Sequence, residues 1–503
     1  MMTINKIQSV ISKSDHWMVI GLFIIGILSR LPFRSQILYH WDSVNFALAL
    51  DNFDIRLHQP HPPGTFVIYI MLGRLINWFL HNPNASLVWL SVLASGLSAA
   101  LLFILGRQWF DKKLGLIAAL LMLTSPLIWF HGEIALSYML EFIWVLVIVI
   151  WFGKLHTDKS DKALFISALL IGLAGGIRPN TPVFLFPLWV VLAFLNFPIR
   201  KIFLALVIMA GGVMLWAIPM IVMTGGLPSY WELAQWWVNQ HLDRSSSGTG
   251  TQIYMARFVA FMFYGLGFAL APLLWALYRR WRDLKHLLFN DWRAKMLTLW
   301  IIPGGVYLAF IHLKQSGHIF TILPALIIVV GLSIRVVSQD LAKFGSRVGM
   351  MITALIVTGN GLLFLFGPAS LFGSSRSIFS TPTWAAIHQN DIFVSERLTT
   401  IREVFEAEET VVVAGSRYFR LPDFYLRDYQ FPSLSTELEE TPISLPQHIR
   451  TLILFDDSVL PQFSTHPSLR LLSLPRGETM RYVTWNKEAQ VKLSQTLLEI
   501  EDK

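Results

Sequence analysis

Cysteine is absent from the 503 residues, so the chain forms no disulfide, binds no metal through thiolate and has no thiol nucleophile. Covalent chemistry must therefore fall to oxygen and nitrogen groups. Charge is scarce as well. Asp, Glu, Lys and Arg supply 14% of the residues against 54% apolar ones, and the mean hydropathy of +0.54 excludes an ordinary soluble domain. No repeat with a period of twenty to fifty residues occurs, and no matched broken helices mark two symmetric halves, as a secondary transporter would carry. The net charge of +8 does not point to nucleic acid, because the basic residues sit in short loops between apolar runs, where the positive-inside rule puts them.

What is present is hydrocarbon, in long runs from residue 17 to residue 366, which makes the chain a polytopic integral membrane protein. The first run, 17–28, follows Lys6 and Lys13 and is succeeded by Arg30-Leu31-Pro32-Phe33-Arg34 rather than a small-residue cleavage pattern, so it reads as a retained span. Five basic loops set the frame: Arg107 to Lys113, Lys154 to Lys162, Arg200-Lys201, Arg279 to Lys295 and Arg335 to Arg347. Between them lie crossings near 86–105, 114–129, 135–152, 163–177, 182–197, 202–223, 257–277, 296–312, 319–334 and 348–366, about eleven with the first span. Residues 65–80 are left over. A crossing there would invert every later loop and would place Arg74 at mid-membrane, at a cost of about 3 kcal/mol, so this run lies on the surface or re-enters. Gly73, Arg74, Asn77 and His81 fall at helical spacing on one face, as an interfacial helix needs.

The odd number of crossings places residues 367–503 outside the cytoplasm. Their composition is mixed, with β-rich runs at Thr410 to Ala414, Thr451 to Phe455 and Tyr482 to Trp485 and helical stretches near 391–407 and 487–501, so they read as a small extracytoplasmic α/β domain. The expected division is a transmembrane catalytic domain over 1–366, with an outer-face loop at 30–85, and the α/β domain over 367–503.

Polar outliers collect on the outer face. Asp42, Asp51, Asp54, Arg56, His58 and His61 crowd the loop after the first span, where Pro60-His61-Pro62-Pro63-Gly64 stiffens the backbone around an imidazole. Glu133, Arg178, Lys314 and His318 lie at further outer ends, and Arg30 and Arg34 join them against the positive-inside preference. Each alone also reads as an interfacial charge. Together, an acid among cations suits transfer from a lipid-linked phosphate: a carboxylate takes the proton of an acceptor hydroxyl while Arg, Lys and His hold the phosphate leaving group. Asp54, His58 and His61 have spacing that also allows a divalent cation. Trp231, Trp236 and Trp237, in a loop between 224 and 256, read as an aromatic belt or as a sugar-stacking platform, and Ser245 to Gly250 as a connector or a lid.

Trp41-Asp42-Ser43 with Phe46, His61-Pro62-Pro63-Gly64, Leu105-Gly106-Arg107-Gln108-Trp109-Phe110, Gly176-Ile177-Arg178-Pro179 and Lys314-Gln315-Ser316-Gly317-His318 before Leu323-Pro324-Ala325-Leu326 resemble, in order, landmarks of the GT-C superfamily of polytopic glycosyltransferases. The likeness is to the protein O-mannosyltransferase and lipid A aminoarabinose transferase type and covers about residues 15–335. It implies an α-helical GT-C membrane fold in a bacterial cytoplasmic (inner) membrane. It also implies inverting transfer of a sugar from a polyprenyl-phosphate donor to a hydroxyl on protein, lipid or glycan at the extracytoplasmic face. Asp42 matches the catalytic base and Glu133 takes a supporting place; His61, Arg178, Lys314 and His318 would hold the donor phosphate. No cofactor is required, and a divalent cation is possible. Where many relatives follow the first acid with Glu, Ser43 and Val44 stand here, so a role needing two adjacent carboxylates is not carried over. A ligase or polymerase of lipid-linked glycans uses the same cationic cradle and is the nearest alternative; a secondary transporter is a more distant one, since it would carry its ionisable groups near the midplane.

Overall fold

The computed structural model describes residues 13–245, 249–282, 291–342, 345, 347–370, 381–415, 417–429, 443–457, 468–486, 489–493 and 498–501. By contact the chain divides into two compact units, Met1–Arg34 with Asn52–Ile387 and Ser35–Asp51 with His388–Lys503. Residues 35–51, expected within the transmembrane part, thus count with the C-terminal unit.

The first unit is helical: α1 Lys13–Leu28, α3 Val67–Leu80, α4 Pro83–Trp109, α5 Lys112–Thr124, α6 Pro126–His131, α7 Tyr138–Thr157, α8 Asp161–Ala174, α9 Asn180–Asn196, α10 Ile199–Met223, α11 Leu227–Ser245, α12 Thr249–Leu266, α13 Leu270–Arg280, α14 Trp292–Phe310, α15 Leu323–Asp340 and α16 Val348–Phe366, with α2, Trp41–Asp51, in the other unit. Side-chain caps set several boundaries. Asn82 accepts from the Ala85 N–H (2.9 Å) with Pro83 at the first helical position of α4, and Asp111 accepts from the Leu114 N–H (2.9 Å) to open α5.

Among the described residues seven helices are long and apolar enough to cross a membrane, and helix is found at every one of the eleven expected crossings. The expected run 114–129 is broken: α5 ends at Thr124, and Ser125-Pro126 starts the short α6. The expected loop 224–256 is also corrected, since α11 and α12 occupy most of it; the run Leu-Ala-Gln-Trp-Trp-Val carries helix-compatible residues and no breaker. Of the run 245–250, read from sequence as a connector or a lid, residues 246–248 lie outside the described residues.

Contacts join the basic loops at one end of this unit. Asp15 pairs with Arg107 (2.9 Å) and Lys112 (3.0 Å), and Arg335 donates to Asp111 at 2.6 Å. The Trp292 ring lies 5.4 Å from Trp109 and 4.6 Å from His156, and Lys201 meets Asp161 at 2.8 Å. With Asp15 beside Arg107, α1 and α4 run antiparallel, packed so closely that a Cβ on Gly96 would come within 2.6 Å of the Phe23 carbonyl. Residues 29–82 therefore leave and return at the same end, and α3 makes no net crossing. Its fourteen residues span about 21 Å, short of the ~30 Å hydrocarbon core. One face buries Val67, Tyr69, Ile70 and Gly73, and Leu75, Trp78 and Phe79 are exposed. Reporters fused after residue 80 and after residue 366 are both expected to read extracytoplasmic; a cytoplasmic signal at the second contradicts the odd crossing number.

In the second unit, α17, Trp384–Val404, which belongs to it from His388 onward, precedes a four-stranded sheet ordered β1-β3-β5-β4 from β1 Thr410–Val413, β3 Thr451–Leu454, β4 Leu469–Ser473 and β5 Thr479–Thr484. β1 and β3 are parallel, with Thr410 opposite Thr451, and the other pairs are antiparallel. β2 Ile443–Ser444, β6 Gln490–Leu493 and β7 Leu498–Glu501 form a three-stranded antiparallel sheet, and α18, Leu421–Tyr425, follows β1. Val411, Val413, Leu452, Leu454, Val483 and Leu493 close its core. Of the helix expected over 487–501, residues 487–488 and 494–497 lie outside the described residues, and the rest is corrected to the antiparallel pair of β6 and β7. Val491-Lys492-Leu493 and Leu498-Glu499-Ile500-Glu501 alternate with the period of a strand, and pairing overrides their helix propensity.

Candidate active site

At the end of the helical unit away from the basic loops, three chain turns converge on Tyr138, the first residue of α7. One turn ends α8. Gly175 and Gly176 let the chain pass the Trp216 ring, where a Cβ on Gly176 would approach within 2.7 Å, and Pro179 starts the next helix, leaving Arg178 at the corner. The Arg178 guanidinium lies 4.0 Å from the Tyr138 ring centroid, forms an ion pair with Glu141 (Nε to Oε2, 3.1 Å) and donates from a terminal nitrogen to Ser137 Oγ (3.0 Å). Thr181 Oγ1 donates to the other Glu141 oxygen at 2.9 Å. One donor of the Arg178 fork is therefore committed to Ser137, and its charge is paired with Glu141 inside the protein.

The second turn is Ser316–Thr321, a 3₁₀ segment between α14 and α15. The Tyr138 hydroxyl donates to Gln315 Oε1, and Gly317 is needed beneath the ring because a Cβ there would overlap it. His318 is buried, with its ring 6.0 Å from Tyr138 and stacked 5.7 Å from His312; Lys314, at the start of this turn, is exposed. His131, at the end of α6, packs 4.8 Å from Tyr138 and hydrogen-bonds through Nε2 with Ser316 Oγ (3.0 Å).

The third turn brings His61. Its ring lies 5.1 Å from Phe66, whose own ring is 5.7 Å from the Arg178 guanidinium. The Ile68 N–H donates to the Gly176 carbonyl at 2.8 Å, tying the start of α3 to the Arg178 corner. Gly64, at φ +78°, makes the bend between His61 and Phe66, where any Cβ would overlap Ile55. Arg178, His318 and His61 are thus gathered around Tyr138 and Phe66.

The other predicted groups are placed elsewhere. Glu133 and Arg30 are both 0% exposed. Burial pushes the Glu133 carboxyl well above the usual carboxylate range, against the opposing pull of Arg30, Trp129 and Arg34. Arg30 donates to the Leu123 carbonyl (2.8 Å) and lies over Trp129, 4.9 Å from the ring centroid. The Asp54, His58 and His61 set, read as a possible cation site, is dispersed. Asp54 takes 2.7 and 2.9 Å bonds from Arg56, which hold its carboxyl below the usual range, while His58 packs on Trp236 (6.0 Å) and His61 on Phe66. Among the described residues no group of three or more His, Asp or Glu is arranged to hold a metal ion. Trp236 thereby touches the first outer loop, while Trp231 is 61% exposed.

Asp42 belongs to the C-terminal unit and is described within it. It opens α2, buried, with its backbone N–H donating to His40 Nδ1 (3.1 Å) and its carboxylate 3.5 Å from the same nitrogen.

Tyr138, Glu141, His131 and Gln315 were not singled out from the sequence. Glu141 carries the clearest signal, an ionisable residue one turn into an otherwise apolar helix. Tyr138 carries none, because a tyrosine at a membrane interface is ordinary.

The sequence profile of the dolichyl-phosphate-mannose-protein mannosyltransferase family matches residues 60–223, which includes His61, Glu133 and Arg178. A search of curated protein sequences finds no match. Among solved structures, ArnT from Cupriavidus metallidurans bound to undecaprenyl phosphate aligns with a TM-score of 0.58 at 13% identity, covering 94% of this chain and 98% of that one. The apo form of the same protein aligns equally well at 14% identity. The oligosaccharyltransferase of Archaeoglobus fulgidus, complexed with zinc and sulfate, aligns at 14% identity and a TM-score of 0.48 over 92% of this chain and 72% of that one. The chain shares the fold of this ArnT, an integral membrane helical unit with a small sheet-bearing unit, and over residues 60–223 it resembles the dolichyl-phosphate-mannose-protein mannosyltransferases.

Proposed function

We propose that the protein transfers a sugar from a polyprenyl-phosphate donor to an acceptor hydroxyl, with inversion, at the extracytoplasmic face of a membrane. The observation that carries this is the convergence of Arg178 and His318 on Tyr138, with His61 next to Arg178 through Phe66, at the end away from the basic loops. A phosphate leaving group departs as an anion and asks for positive charge rather than a proton, which Arg178 and the exposed Lys314 supply, His61 and His318 adding to it when protonated. The fold similarity to an ArnT solved with undecaprenyl phosphate supports a lipid phosphate as the carrier.

Asp42 is assigned as general base. Its carboxylate takes the acceptor O–H proton as the oxygen attacks the anomeric carbon and the bond from that carbon to the phosphate oxygen breaks on the opposite side. Glu141 holds Arg178, and Glu133, buried against Arg30, supports the second outer loop without contacting donor. Purified protein incubated with a panel of polyprenyl-phosphate sugars and hydroxyl acceptors is expected to release free polyprenyl phosphate with at least one of them; release no faster than in protein-free vesicles across the panel overturns the proposal.

A further inference from the structure

We infer that the C-terminal residues 388–503 serve to position Asp42, and that Arg420 is the positioning residue that fixes its helix. This rests on the assignment of Asp42 as base. The eleven residues of α2 are too few to form a stable helix alone, and Asp42 through Leu50 are all buried, so the helix takes its place from what surrounds it.

Within this unit the surroundings come from more than 350 positions later in the chain, and they grip the whole segment from Ser35 to Asn45. The Asp391 carboxylate accepts from Ser35 Oγ and from the Gln36 N–H, both at 2.7 Å, and the Tyr425 hydroxyl accepts from the Leu38 N–H at 2.9 Å. Next to the acid, Trp41 packs on Phe419 with ring centroids 5.6 Å apart. One turn beyond it, Asn45 Oδ1 accepts from Arg420 Nε at 2.9 Å, while Asp423 takes a 2.8 Å bond from a terminal nitrogen of the same guanidinium and so aims it. Residues i and i+3 of a helix share a face, so the Arg420 bond is made on the face that carries Asp42. A carboxylate that must meet a moving proton tolerates little displacement: misplacement by about 1 Å can cost on the order of a hundredfold in rate.

The test uses the full-length protein in vesicles. Arg420→Ala is expected to lower kcat by roughly ten- to a hundredfold with KM for the lipid-linked donor within about twofold of wild type, and to speed amide hydrogen exchange in residues 42–50. Asn45→Ala should do the same, with the double variant no slower than the worse single one, because both remove one contact. Tyr425→Phe, which deletes only a hydroxyl, gives a milder form of both effects should Arg420→Ala not fold. Added to Asp42→Asn, Arg420→Ala should cost nothing further, since there is no carboxylate left to position; a general structural defect would multiply the two losses. Unchanged exchange and unchanged kcat in Arg420→Ala and Tyr425→Phe, or multiplying losses, overturn the inference. Wild-type turnover in Asp42→Asn alone would instead overturn the assignment of the base, and the positioning role with it.

Discussion

Asp42→Asn is expected to lower turnover by about a hundred- to ten-thousand-fold while donor binding stays near wild type. Asn keeps the shape of the side chain and the backbone bond to His40 Nδ1, so α2 should hold its place, and only the basicity is lost. A loss confined to kcat separates a group that acts in the transition state from one that binds the ground state. Single-turnover release of lipid phosphate, measured alongside donor affinity, is the check. Turnover within a fewfold of wild type would remove Asp42 from the chemistry.

Arg178→Ala should act on both quantities. A charged hydrogen bond to the donor phosphate is worth about 1.5–3 kcal/mol, so donor affinity is expected to fall roughly ten- to a hundredfold and leaving-group departure to slow, with Arg178→Lys recovering part of the loss as a point charge. The structure adds a complication that has to be controlled. Arg178 is paired with the buried Glu141, and removing one partner of such a pair costs about 3–5 kcal/mol of stability. Arg178→Ala with Glu141→Gln removes the stranded charge and keeps an oxygen for Thr181, so stability should return while donor affinity does not. If affinity returns with stability, Arg178 is a structural ion pair and the phosphate is held elsewhere.

Much of the membrane architecture was legible because the sequence signals for it are local and redundant. Basic loops, apolar runs and the length limit of a bilayer each constrain the same crossings, and the ion pairs of Asp15 with Arg107 and of Asp111 with Arg335 bear out that those loops share one end. That 65–80 makes no net crossing follows from parity, which a local reading of its hydrophobicity misses. Where sequence reading failed, the deciding information was non-local or masked by composition. Gln-Val-Lys-Leu and Leu-Glu-Ile-Glu favour a helix by residue type, and only pairing across the sheet makes them strands. The tryptophans of α11 read as loop from the sequence because the segment is too polar to be a span, although a polar helix satisfies the same composition.

For the site, cations breaking the positive-inside preference point to Arg178 and His318, and the sequence carries no sign that both lie against Tyr138. Glu133 reads as an outer-loop acid from its position, and its complete burial near Arg30 is a property of the packed helices that leaves no trace in residue order. The dispersal of Asp54, His58 and His61 has a similar origin, because the spacing was compatible with a shared cation while Arg56, two residues from Asp54, captures that carboxylate first.

The central claim is that a sugar leaves a lipid phosphate with inversion at its anomeric carbon. Its most direct test is protein reconstituted in vesicles with a polyprenyl-phosphate sugar labelled at the anomeric carbon, following glycoside formation, its configuration and free polyprenyl phosphate together. The account predicts one polyprenyl phosphate released for each glycoside formed, with the anomeric configuration opposite to that of the donor. A labelled sugar that crosses the bilayer still bonded to its phosphate, or a product that retains the donor's configuration, would contradict it.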